Sequence, residues 1–154
     1  QGGSSSIHGL GRSPVDERGW QVGIENPYDP SKTVARVWLR DKSLGTSGTA
    51  NQFFEENGRR YGHLLDPRTG WPADQLASAS VLASDGITAD ALATALFVMG
   101  LDKARVFCKD HPEIGAVLVR KPSDDGSPEE PLRVVTLNIA KEDVDLRSAR
   151  EDAD

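Results

Sequence analysis

The chain has 154 residues, 37% of them hydrophobic, and that length supports one compact domain that buries roughly two thirds of its unfolded surface. Its net charge of −6 and pI near 5.1 argue against a reader of phosphate backbones, which needs a basic face, so nucleic acid is not an expected partner. The single cysteine, Cys108, rules out an internal disulfide and leaves the compartment open.

No run approaches the roughly 20 apolar residues that span a bilayer, and the opening QGGSSSIHGLG has neither the basic nor the apolar stretch of a signal peptide. The chain does not start with Met, so it is expected to be a fragment or a processed product. After the Gly/Ser-rich start, residues 19–27 (GWQVGIENP) alternate like a strand and stop at Asn26-Pro27, where proline disfavours continuation. Residues 33–41 (TVARVWLRD) alternate again, with the β-branched and aromatic content of a strand, and run into LGTSG, read as a polar turn. Residues 51–70 read as a hairpin about Asn57-Gly58, a dipeptide that accepts the positive φ angles of a tight turn.

Residues 78–84 (SASVLAS) are a further expected strand, and Thr88 to Met99 the clearest helix, ended by Gly100 as a C-cap. A second helix, LDKARVFCKDH, follows at once. IGAVLVR and LRVVTLN flank the polar loop KPSDDGSPEEP and read as two antiparallel strands. The pattern predicts an α+β domain over 1–140, a mainly antiparallel sheet with two consecutive helices on one face, followed by a charged tail, 141–154, expected to fray.

In the helix TADALATALFVMG the only polar side chains between Ala89 and Met99 are Asp90 and Thr94, four apart and so on one stripe, with Leu92, Leu96 and Met99 opposite. The helix is expected to be buried nearly all round, and a buried carboxylate must be paired, hydrogen-bonded or metal-bound. Two readings stay open. Either the carboxylate and hydroxyl oxygens hold a hard cation such as Mg²⁺ or Ca²⁺, or Asp90 simply favours the helix dipole while Thr94 bonds back to the carbonyl of residue 90.

The stretch YGHLLDPRTG carries a second concentration of polar chemistry. His63 can accept a proton from a hydroxyl near neutral pH, Asp66-Pro67 stiffens the backbone, Arg68 offers a fork for phosphate, and Thr69-Gly70 adds a hydroxyl and an approachable N–H. The alternative is a plain turn in which Asp66 caps its own loop. Thr46, Ser47 and Gly48 in LGTSG are weaker candidates of the same kind. His8, in a mobile-looking start, and His111, before Pro112, are read as surface residues, Cys108 as a packed thiol, and Trp71 as a core or rim aromatic or, beside the DPRTG loop, a wall for a ring-shaped ligand.

The run GHLLDPRTGWP followed by SVLASDGITADALATALFVMG resembles the C-terminal half of the FAD:protein FMN transferases of ApbE type. An H-x-x-D-P-x-T-G loop, a strand and a D-x-L-x-T-A helix match in order, with LGTSG and Gly2-Gly3 upstream, over roughly residues 1–137. The resemblance implies an enzyme that binds FAD and a divalent cation and moves FMN onto a Thr or Ser hydroxyl of an acceptor protein. It implies Asp90 and Thr94 as metal ligands and His63 as the base for the acceptor hydroxyl. Thr46, Ser47, Gly48, Asp66, Arg68, Thr69 and Gly70 are then the candidate contacts to the flavin nucleotide, and the resemblance implies a missing N-terminal half and an exported, membrane-anchored parent. A flavin-nucleotide holder without turnover and an FAD hydrolase giving FMN and AMP are the alternatives.

Overall fold

The computed structural model describes residues 6–49, 53–56, 59–122, 132–147 and 149–151. The Asn57-Gly58 turn, Gly2-Gly3 and most of the loop 121–131 lie outside the described residues. The strands are β1 (Ser6–Gly9), β2 (Trp20–Asn26), β3 (Asp29–Leu39), β4 (Lys42–Gly48), β5 (Phe53–Glu56), β6 (Arg59–Gly62) and β7 (Leu76–Ala83). Two helices, α1 (Gly86–Met99) and α2 (Leu101–Asp110), precede β8 (Gly115–Arg120) and β9 (Leu132–Leu137), and β10 (Val144–Leu146) and β11 (Ala149–Glu151) end the chain.

One six-stranded sheet has the order β1-β4-β7-β8-β9-β11, antiparallel except for the parallel β9–β11 pair. A second sheet, β10-β3-β2, and the separate β5–β6 hairpin complete the fold. This is the expected α+β architecture, and the alternation of side chains along β7 explains its layering. Leu76, Ala79, Val81 and Ala83 join Ala89, Ala93, Leu96, Phe97, Ala104 and Cys108 in a core beneath the two helices. Ala77 and Leu82 join Val34, Val37, Leu39, Val117 and Val119 in a second core between the sheets. A strand buried on both faces needs small or apolar side chains throughout, and all eight residues of β7 are buried.

Three expectations change. LGTSG is the body of β4, paired to β1 on one side and β7 on the other, and not a turn. The start at His8 is not loose but lies in β1, where His8, exposed as expected, has Nδ1 2.8 Å from Ser43 Oγ. The tail does not fray as a whole: 141–143 make a 3-10 turn, β10 pairs with β3, and Val144 and Leu146 pack against the inter-sheet core.

Candidate functional site

Helix α1 begins where Asp85 caps it. Its Oδ1 accepts from the Thr88 amide at 2.9 Å and its Oδ2 from the Thr88 hydroxyl at 2.8 Å, and these bonds, the amide first, hold the carboxyl below the usual carboxylate range. The helix then lies directly on β4. A Cβ placed on Gly45 would sit 2.5 Å from the Ala89 carbonyl carbon and 2.7 Å from the Asp90 amide nitrogen, so only glycine lets the two backbones meet.

That approach sets the next contact. Residues 43, 45 and 47 share one face of β4 by strand alternation, and Ser47 Oγ comes within 2.8 Å of Thr94 Oγ1. Thr94 therefore does not bond back to its own helix. Asp90, one turn earlier on the same side, is exposed, as is Ala91, so the helix is not buried all round and the buried-carboxylate argument does not apply. The carboxylate instead faces solvent beside a half-buried pair of hydroxyls.

Thr46 points the other way. Its hydroxyl lies 2.9 Å from Ser80 Oγ on β7, on the face away from α1, so the structure separates Thr46 from Ser47 and Thr94. Gly48 is packed against the Ala77 carbonyl and Ser78.

The second cluster follows β6. His63 is exposed, and Leu64 turns inward to the helix-side core. The loop is closed by Ala73 N to Leu64 O at 2.9 Å and Asp66 N to Trp71 O at 2.8 Å. The Asp66 carbonyl accepts from the Thr69 and Gly70 amides, and Gly70 takes a φ of 73° that favours glycine. The Asp66 carboxylate accepts from Arg68 Nε and Nη2, at 2.8 and 2.6 Å, and from the Arg68 amide. The Arg68 side chain is the main reason the Asp66 pKa falls to about 2. Arg68 Nη2 also donates to the Val98 carbonyl at 3.0 Å, which ties this loop to the last turn of α1.

Asp66, Arg68, Thr69 and Gly70 are thus brought together by bonds to one another, and His63 is carried on the segment they shape. Sequence reasoning missed Asp85, Gly45 and Ser80. Asp85 followed by Thr88 was a legible capping signal, whereas Gly45 and Ser80 show no pattern until the sheet register is known. A cavity of about 390 Å³ opens beside the loop, walled by Tyr28, Tyr61 and Trp71 with Thr49 and Lys121 at its polar side. Cys108 is packed and its thiol pKa is pushed up to about 11 by burial.

Among the described residues no group of three or more His, Cys, Asp or Glu side chains could hold a metal ion. The Asp90 carboxylate with the Thr94 hydroxyl is an oxygen-only donor set, which suits a hard cation that takes its other ligands from water and phosphate.

The model of the ApbE family matches residues 1–118. The chain belongs to the ApbE family. Among curated ApbE relatives, an FAD:protein FMN transferase of Klebsiella pneumoniae is 32% identical over 121 residues, which are 77% of this chain and 36% of that protein. One from Haemophilus influenzae is 42% identical over 93 residues, 58% of this chain and 27% of the relative. The crystal structure of the apo flavinyl transferase ApbE of Pseudomonas stutzeri superposes with a TM-score of 0.60 at 34% identity, covering 77% of this chain and 36% of that one. The flavin transferase ApbE from Vibrio cholerae gives 0.60 at 29% identity, covering 82% and 38%. The matched part of the chain therefore covers about a third of the length of these ApbE relatives.

Proposed function

We propose that this chain is the C-terminal part of a longer enzyme that transfers FMN from FAD to a Thr or Ser hydroxyl of an acceptor protein. The observation that carries the reading is the pairing on α1: an exposed Asp90 carboxylate one turn from a Thr94 hydroxyl that is drawn off its helix toward β4. In this reading Asp90 and Thr94 hold Mg²⁺ or Ca²⁺, with the remaining ligands from the rest of the protein, water and the FAD pyrophosphate. Bound there, the cation supplies charge neutralisation for the pyrophosphate oxygens.

The chain's own residues do the rest. His63 takes the proton from the acceptor hydroxyl, whose oxygen forms a bond to the phosphorus of the FMN unit as the pyrophosphate P–O bond breaks and AMP leaves. Asp66 and Arg68 fix the loop that presents it, and the Arg68 bond to Val98 couples the loop to the helix carrying the two metal ligands. The Trp71 cavity lies next to this loop, where a ring of the dinucleotide has room. We further propose that the whole protein works outside the cytoplasm, as the resemblance in sequence implies.

The test is to incubate the complete protein with FAD, Mg²⁺ and an acceptor bearing the target threonine, and to weigh the acceptor. An FMN adduct on the acceptor supports transfer; free FMN and AMP without it point to a hydrolase, and unchanged FAD to a holder. Asp90→Ala is expected to lose at least about a hundredfold in metal-dependent transfer with little change in thermal stability, because the carboxylate is exposed. Wild-type activity in that variant contradicts the metal role.

A further inference from the structure

We propose that Ser47 is a positioning residue for the cation, acting through Thr94 and not by touching the flavin. This rests on the metal reading above. The two hydroxyls are 2.8 Å apart, both half-buried, and either could be the donor.

A cation at Thr94 Oγ1 removes that ambiguity. A hydroxyl has one proton and two lone pairs, and an oxygen that gives a lone pair to a metal turns its proton away from it. The Thr94 proton then points to Ser47 Oγ, which accepts it, and the lone pair of Thr94 is aimed outward on the Asp90 side of the helix. A mid-helix threonine otherwise spends its proton on the carbonyl four residues back, which would turn the oxygen along its own helix. Here the contact is with β4 instead.

Two features make the arrangement rigid. The backbone contact between Gly45 and Ala89–Asp90 fixes how close α1 stands to β4, so Ser47 meets Thr94 at hydrogen-bond length without side-chain search. Ser47 is also held in the β4–β7 ladder, opposite Ala79. Ser47 thus orients one ligand, while Thr46, its chain neighbour, serves the opposite face.

The experiment is a Mn²⁺ titration of the complete, FAD-free protein followed by electron paramagnetic resonance, with melting temperature measured alongside. Ser47→Ala is expected to weaken Mn²⁺ binding about tenfold at unchanged melting temperature, the scale seen when a partner of a metal ligand is lost. In a Thr94→Ala background the same change is expected to add nothing further, because the two residues act as a unit. Wild-type affinity in Ser47→Ala, or an equal loss with and without Thr94, overturns the proposal. Asp90→Ala is the separating control: loss of binding there with none in Ser47→Ala sinks only the role of Ser47, whereas intact binding in Asp90→Ala sinks the metal reading and this inference together.

Discussion

Asp66 shows how one residue can be committed to architecture through both its side chain and its backbone. Its carboxylate is occupied by the Arg68 guanidinium and amide, and its carbonyl by the amides of Thr69 and Gly70. The motif was legible in sequence as a concentration of polar residues, but which of them face a ligand was not, because a turn and a phosphate cradle draw on the same residue types. The Asp66 pKa is lowered to about 2 in the folded chain. A depressed carboxylate contributes stability that is present above its unfolded value, near 4, and is lost as pH falls through the folded value. The Arg68 and Thr69 amide resonances are therefore expected to hold their native shifts down to about pH 3 and to move with a midpoint near 2. A midpoint at or above about 4 contradicts the clamp.

Among the elements, the α1–β4 pair is the one the rest of the site depends on. Helix α1 was readable from its Ala/Leu content and Gly100, down to its last residue, Met99. Strand β4 was not, since Gly45, Thr46, Ser47 and Gly48 have the composition of a turn. The structure supplies the reason for that composition: a helix backbone rests on Gly45, and a larger side chain at 47 would meet Thr94. Small polar residues were needed there for close approach and hydroxyl contact, which local propensity does not register. Gly45→Ala is expected to cost roughly 1–3 kcal/mol, because its Cβ falls on the backbone of residues 89 and 90, and to weaken metal binding by displacing Asp90. Urea unfolding checks the first and Mn²⁺ titration the second; a fully stable variant would mean that α1 does not rest on that glycine. The exposure of Asp90 was also invisible in sequence, because the apolar residues around it suggested a helix enclosed on every side.

At the level of the whole molecule, three layers share one central sheet: helices above, the β10-β3-β2 sheet below. The antiparallel order and the helices on one face followed from the sequence pattern, while the second sheet did not, because only side-chain alternation along β7 and β8 reveals two cores. The tail was misread for its charge. Within KEDVDLR the alternation of Val144 and Leu146 with Asp143, Asp145 and Arg147 is the period of a strand, and both apolar residues pack against the inter-sheet core. Removal of residues 141–154 is expected to lower stability by roughly 2–3 kcal/mol, from the apolar area of two partly buried side chains and the uncovered edge of β3. An unchanged denaturation midpoint would show that β10 contributes nothing.

The central claim, that Asp90 and Thr94 hold a divalent cation at a flavin-transfer site, is open to direct observation. Crystals of the complete protein grown with FAD and Mn²⁺ can be measured at the manganese absorption edge to locate the ion by anomalous scattering. One strong peak is expected at direct coordination distance, about 2 Å, from an Asp90 carboxylate oxygen and from Thr94 Oγ1, with a pyrophosphate oxygen beside it. FAD bound with its pyrophosphate elsewhere, or a manganese peak away from these two side chains, would contradict it.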